Sequence, residues 1–261
     1  MVVDNTKLQK LLTDPPMPVT SRDLRRDGNV FHVGGELPPR ETLETLFDSY
    51  CLAPAELFHL SFGAPDTFSN GETLARLIKK NFNTHILGTM DFPVSSALLE
   101  RAYAAGVDII HIPFTAFGRS DQESRLASLQ CAQTVFPRWA VASSLVLGEA
   151  HLEALLAGID NLLSHGIVPL LQFPAPASRC GIEEVAAAYA HLATAWRTSK
   201  ATVAPLLPLI AFATPLVPQT QGGTLRGFMN RLRDRRLLAA SDLRRALRVR
   251  QVEESFESAG L

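Results

Sequence analysis

The sequence predicts an α/β protein, a TIM-like (β/α) barrel, closed or partial, with six to eight strands. Three observations carry this. The stretch from His85 to Thr115 reads strand, loop, amphipathic helix, tight turn, strand: Leu98, Leu99, Ala102 and Ala105 recur at helical spacing, Gly106 stands at a helix C-cap, and Val107 to Phe114 is apolar and β-branched. At least six such β/α units follow one another, which calls for a parallel sheet with helices outside it. A chain of 261 residues with 46% hydrophobic content has the length and composition of one barrel. A doubly wound sheet is less favoured because no G-x-G-x-x-G opens a helix.

In chain order, residues 1–27 hold a short helix near Asn5 to Leu12, a break at Pro15, Pro16 and Pro18, and the charged segment SRDLRRDG. They are expected to form an N-terminal arm outside a barrel core that spans 28–217. Asn29 to Val33 is a first strand, followed by a helix with Leu43, Leu46, Phe47, Tyr50 and Cys51 on one face. Leu57 to Phe62 is a second strand, followed by a helix with Leu74, Leu77, Ile78 and Phe82 buried and Asn70 as its cap. The third and fourth strands lie near 85–89 and 107–114. A helix to about Phe136 leads into a strand in VASSLVLG. The helix from Ala150 to His165, with Leu152, Leu155, Leu156, Ile159, Leu162 and Leu163 on one face, leads into IVPLLQF. A helix over 181–200 and a strand in 203–214 complete the core, and residues 218–261 form a C-terminal helical extension.

The formal net charge of −1 gives no global field that would select nucleic acid or a membrane surface. The exception is local: nine arginines between Arg226 and Arg250 face only Asp234 and Asp242. Leu225, Phe228, Met229 and Leu232, then Leu243 and Leu247, fall at helical spacing, so an apolar face should pack while the arginines stay wet. Arg231, Arg235 and Arg236 are the candidates for docking an acidic protein partner, the other reading being a solvated face. RNA is a poor fit because no aromatic residues are interleaved among the arginines. Cys51, Cys131 and Cys180 fit neither a disulfide framework nor a metal motif. With no apolar leader and no run long enough to span a bilayer, the expected compartment is the cytoplasm.

Strand alternation with the apolar members facing the helices turns His59 and Ser61 inward on the second strand, His111 and Thr115 on the fourth, and Gln172 on the sixth. Barrels carry their reactive groups at the C-terminal strand ends. His111 and His59, with Glu36, Asp66, Asp91 or Glu149 from the loops, are therefore candidates for a general base or for a two-histidine, one-carboxylate metal site. Satisfied core histidines and helix-capping acids are the competing account.

The segments LLERAYAAGVDIIHIPF and SSLVLGEAHLEALLAGIDNLLSHGIVPLLQFPAP resemble the radical SAM enzymes of the biotin synthase and thiazole tyrosine lyase type over roughly residues 57–176. That resemblance implies a partial (β/α)6 barrel and S-adenosylmethionine as a possible ligand. It places the motif that holds the ligand's amino group either at Gly63-Ala64-Pro65 or at Gly34-Gly35-Glu36, with Glu149 at the glycine-acid turn after the fifth strand. The CxxxCxxC that holds the iron-sulfur cluster is absent, so no cluster is expected. Three functions stay open: a noncatalytic or accessory subunit in cofactor biosynthesis, a barrel enzyme (lyase or metal-assisted hydrolase) using His111 and loop acids, and a small-ligand-binding barrel.

Overall fold

The computed structural model describes residues 1–113, 122–173, 181–218 and 238–248. In chain order the elements are β1 (Val2–Val3), α1 (Asn5–Thr13), β2 (Leu24–Asp27), β3 (Val30–Gly34), α2 (Pro39–Leu52), β4 (Leu57–Ser61), α3 (Phe68–Asn81), β5 (His85–Thr89), α4 (Ser96–Ala105), β6 (Ile109–His111), α5 (Gln122–Val135), β7 (Val141–Val146), α6 (Leu152–Ser164), β8 (Val168–Gln172), α7 (Ile182–Thr198), α8 (Leu207–Ala213) and β9 (Leu216–Val217). A helical stretch over 238–248, here α9, follows.

The main sheet has seven strands in the order β2-β3-β4-β5-β6-β7-β8. Every pair is parallel except β2 with β3. Strict sequence order is what successive right-handed β/α crossovers produce when each adds its strand on the same side. The fold is thus a TIM-like (β/α) barrel in partial form: among the described residues β2 and β8 form the two edges. Local chemistry fixes the ends of the helices. Ser95 caps α4 by accepting from the Leu98 amide, and Gly106 ends it at φ +116°, in the left-handed region that favours glycine. Among the described residues no helix is long and apolar enough to cross a membrane.

Four expectations are corrected. The N-terminal segment is not an arm outside the core: Leu8 is fully buried, β1 pairs antiparallel with β9, and β2 forms the edge of the main sheet. The turn Gly28-Asn29, with Gly28 at φ +60°, folds β2 back onto β3 as a hairpin. Residues 203–214 are helical rather than a strand, since Pro205 and Pro208 sit at N-terminal positions of a 3-10 turn (Ala204–Leu206) and of α8. Proline costs nothing there and would cost a ladder bond in a central strand. Asn70 does not cap α3, which begins at Phe68; its amide instead donates to the carbonyls of Gly35 (2.6 Å) and Leu37 (2.8 Å).

The fourth correction concerns α9. Its leucines Leu243 and Leu247 are 62% and 54% exposed, whereas Arg245 is buried. Arg245 donates to the carbonyls of Tyr103 (2.7 Å) and Val107 (3.2 Å), pairs with Asp108 (2.7 Å) and Asp242 (2.7 Å), and lies over the Tyr103 ring. Arg248 pairs with Glu100 (2.5 Å). An arginine face thus docks because the barrel offers it a buried carboxylate and carbonyl oxygens that can accept a further hydrogen bond, which a leucine cannot use. Arg231, Arg235 and Arg236 lie outside the described residues.

Candidate active site

In-register partners of a parallel ladder project to the same face of the sheet. Phe58 meets Phe31 and Phe82, and Phe62 stacks on Phe68, so these aromatics fill the helix-covered face. The opposite face of β4 carries His59, whose register partners are His32 on β3 and Leu87 on β5; Thr89, two residues on from Leu87, pairs with His111 on β6. One row results. His32 Nδ1 lies 3.1 Å from His59 Nδ1, His59 Nε2 lies 2.8 Å from Thr89 Oγ1, and Thr89 Oγ1 lies 3.1 Å from His111 Nδ1. At the edge, Asp27 Oδ2 of β2 is 3.2 Å from His32 Nε2. The ring is not oriented for a hydrogen bond between these atoms, so the contact is electrostatic.

The three imidazoles are buried, at 1%, 9% and 4% exposure for His32, His59 and His111, and this sets their charge state. Loss of solvation pushes His32 down to about 4 against the pull of Asp27, and pushes His111 down to about 4 against Asp91. His59 falls well below its ordinary value for the same reason, with the neighbouring imidazoles His32 and His111 adding to the shift. All three are neutral at pH 7, and a neutral imidazole has one donor and one acceptor nitrogen. His111 Nε2 is buried and has no hydrogen-bond partner among the described residues. The same holds for Ser144 Oγ. Ala142 is the register partner of His111, so Ser144, two residues further along β7, faces the same side; Ser143, on the other face, donates to the Ile112 carbonyl. Two orphaned polar atoms on adjacent strands at the C-terminal end of the sheet are what a site awaiting a polar ligand presents. Beside them Arg125 donates to the carboxylate of Asp91 (2.7 Å) and to the Pro113 carbonyl (2.9 Å).

The other sequence candidates fall elsewhere. Glu36 spends both oxygens within the chain, on Ser21 Oγ (2.5 Å) and Arg22 Nε (2.7 Å), and these bonds hold its carboxyl below the usual carboxylate range. Gly34, Gly35 and Gly63 lie together at the ends of β3 and β4, and each has a packing reason to be glycine. A Cβ on Gly34 would sit 2.2 Å from the Ser21 carbonyl oxygen, and one on Gly35 2.7 Å from that of Ser61; Gly63 has φ +75°. Because Gly34 is crowded by backbone that cannot swing aside, Gly34→Ala is expected to displace residues 20–23 and cost about 3 kcal/mol, read as a shifted urea midpoint. A midpoint within error of the parent would show that the segment relaxes freely. Glu149 is exposed in the loop after β7, next to Gly148 at φ +73°, and Asp66 and Gln172 are exposed as well. Thr115 and Cys180 lie outside the described residues.

Sequence reasoning missed Asp27, His32, Thr89 and Ser144. His32 was reachable by the alternation that located His59, since Phe31 and Val33 flank it as Phe58 and Leu60 flank His59. The metal option does not match the geometry: nitrogens of His59 and His111 converge on the Thr89 hydroxyl, and among the described residues no three His, Cys, Asp or Glu side chains gather to hold an ion.

No family model matches the chain, and no curated protein does. Among solved structures, the crystal structure of an HpcH/HpaI aldolase from Desulfitobacterium hafniense DCB-2 is similar at 15% identity and a TM-score of 0.45, over 80% of this chain and 88% of that one. The structure found is an aldolase and not a radical SAM enzyme, and the radical SAM resemblance read from the sequence is corrected accordingly. S-adenosylmethionine as ligand and an accessory subunit of that family go with it.

Proposed function

We propose that this protein is a barrel enzyme of the lyase class, acting by proton transfer on a small carbonyl or hydroxy compound at the C-terminal end of its strands. His111 is its general base. The observation that carries this reading is the row from Asp27 through the buried His32 and His59 and the half-buried Thr89 to His111, which ends on a ring nitrogen with no hydrogen-bond partner among the described residues. A neutral imidazole can accept a proton at its free ring nitrogen, and burial, which holds the conjugate acid near 4, makes it a weaker base than a solvated imidazole, so the substrate's own proton must be made more acidic as negative charge on its oxygen is stabilised. Ser144 Oγ supplies a donor on the same face for the oxygen where negative charge grows. The reduced thiols Cys51 and Cys131 support a cytoplasmic setting.

The test is deuterium exchange. Incubated in D2O with a panel of 2-oxo and 3-hydroxy acids, the protein is expected to wash deuterium into the position next to the carbonyl of at least one of them, or to cleave it, as followed by proton NMR. His111→Gln should slow this by about 10²–10⁴-fold, the usual contribution of a positioned base. Activity at the parental rate in His111→Gln, or no exchange and no cleavage across the panel, would remove the reading.

A further inference from the structure

The row can be hydrogen-bonded in either of two directions. A His–His contact through two Nδ1 atoms needs one proton, not two, and the Thr89 hydroxyl must accept from one imidazole while donating to the other. Each choice therefore forces the next. If His32 bears its proton on Nδ1, then His59 is protonated on Nε2, Thr89 donates to His111 Nδ1, and His111 ends as an Nε2–H donor. If His32 bears it on Nε2, His59 is protonated on Nδ1, its Nε2 accepts from Thr89, and His111 donates from Nδ1. The second direction leaves a lone pair on His111 Nε2.

We infer that Asp27, on the edge strand and outside the row of imidazoles, is the positioning residue that selects the second direction and so sets the tautomer of His111. The first direction would set the His32 Nε2 lone pair beside a carboxylate oxygen 3.2 Å away, with the imidazole itself buried and the Asp27 side chain only a quarter exposed, so that water screens the repulsion in part. The second places the positive end of an N–H dipole near it, off the line of a hydrogen bond but with the favourable sign. Arg25 pairs with that same oxygen (3.1 Å) and with Asp23 (3.2 Å), and its opposing charge acts on His32 less strongly than that of Asp27. Phe212 of α8, its ring centroid 6.2 Å from that of His32, offers no competing acceptor. At the other end of the row Asp91 acts on His111 through its charge alone, since His111 Nε2 has no hydrogen-bond partner among the described residues. This inference deepens the base reading above but is read by a different measurement.

The experiment is two-bond proton–nitrogen NMR on the full chain labelled with 15N-histidine at neutral pH, with rings assigned from single His→Gln variants. The parent should show one tautomer at each position: Nε2–H for His32, Nδ1–H for His59 and Nδ1–H for His111. Asp27→Ala should abolish the single form, with loss of the His111 Nδ1–H signal although the substitution is four strands away. Thr89→Val keeps the shape of the side chain and removes the hydroxyl; it should move the His111 proton to Nε2 while His32 and His59 keep theirs, and it answers the question should Asp27→Ala fail to fold. His111 protonated on Nε2 in the parent, or unaltered by Asp27→Ala, would overturn the inference. Parental tautomers as assigned, together with full exchange activity in His111→Gln, would overturn the base reading and leave this one standing.

Discussion

On acidification from about pH 6.5 to pH 4 the protein is expected to lose most of its stability. His32 and His111 titrate near 6.5 when unfolded and near 4 when folded. Between those values the unfolded chain binds protons that the folded chain refuses. Stability is therefore complete above 6.5 and falls as the pH drops, at up to about 1.4 kcal/mol per pH unit for each imidazole. A depression of this size withdraws on the order of 3 kcal/mol per residue by pH 4, and His59 shifts in the same direction. The combined loss is comparable with the roughly 5–15 kcal/mol that holds a domain folded. Urea midpoints taken at steps between about pH 7.5 and 4.5 should fall steeply, and His111→Gln should flatten the slope by about one proton's worth. A midpoint independent of pH over that range would mean that the imidazoles are solvated and the row is not formed.

Replacing Asp108 by Ala should cost about 3–5 kcal/mol, because at the opposite end of the barrel from the candidate site it leaves Lys79 and Arg245 to share the half-exposed Asp242 as their one remaining carboxylate among the described residues. Asp108 is nearly inaccessible, and its oxygens receive Lys79 Nζ (3.1 Å), the Ile86 amide (3.0 Å), Ser241 Oγ (2.9 Å) and Arg245 Nη2 (2.7 Å). Burial alone would raise its pKa; the hydrogen bond from His85 and the charges of Lys79 and Arg245 outweigh burial and hold the carboxyl below the ordinary range. A depressed carboxylate contributes its stability above the unfolded value near 3.8 and loses it only as the pH falls below that toward the folded value. The effect therefore lies below the range from about 6.5 to about 4 over which His32 and His111 take up their protons. Asp108→Ala combined with Arg245→Met should recover part of the loss, since the buried guanidinium, left with only the half-exposed Asp242 as counter-charge, is removed as well. A single-variant cost under about 1 kcal/mol would show that α9 does not depend on this carboxylate.

Much of the fold could be read from local chemistry. Gly106 at the end of α4 and the alternation of Phe58, His59, Leu60 and Ser61 are decided by neighbours in sequence, which is why they were legible. The proline-rich run over 203–214 was misread because an apolar stretch of that length suits a buried helix as well as a strand, and the positions of Pro205 and Pro208 decide between them. The Asp27-Gly28 hairpin signal was present but sat in a charged segment with no alternation to mark β2 as a strand. For α9, helical periodicity defines two faces and cannot say which is buried; the barrel carboxylate of Asp108 makes that choice.

The sequence by itself determined that strands and helices alternate, and which residues of β4 and β6 turn away from the helices. These follow from the twofold pleat and the 3.6-residue turn, which act over a few residues. Only the tertiary structure decided that Asp27, His32, His59, Thr89 and His111 stand in one row. Their adjacency is set by strand order and register between segments 22 to 30 residues apart for each contact beyond β3, and no local rule fixes either. Burial, which makes the histidines neutral and their direction of bonding matter, is likewise a property of the assembled core.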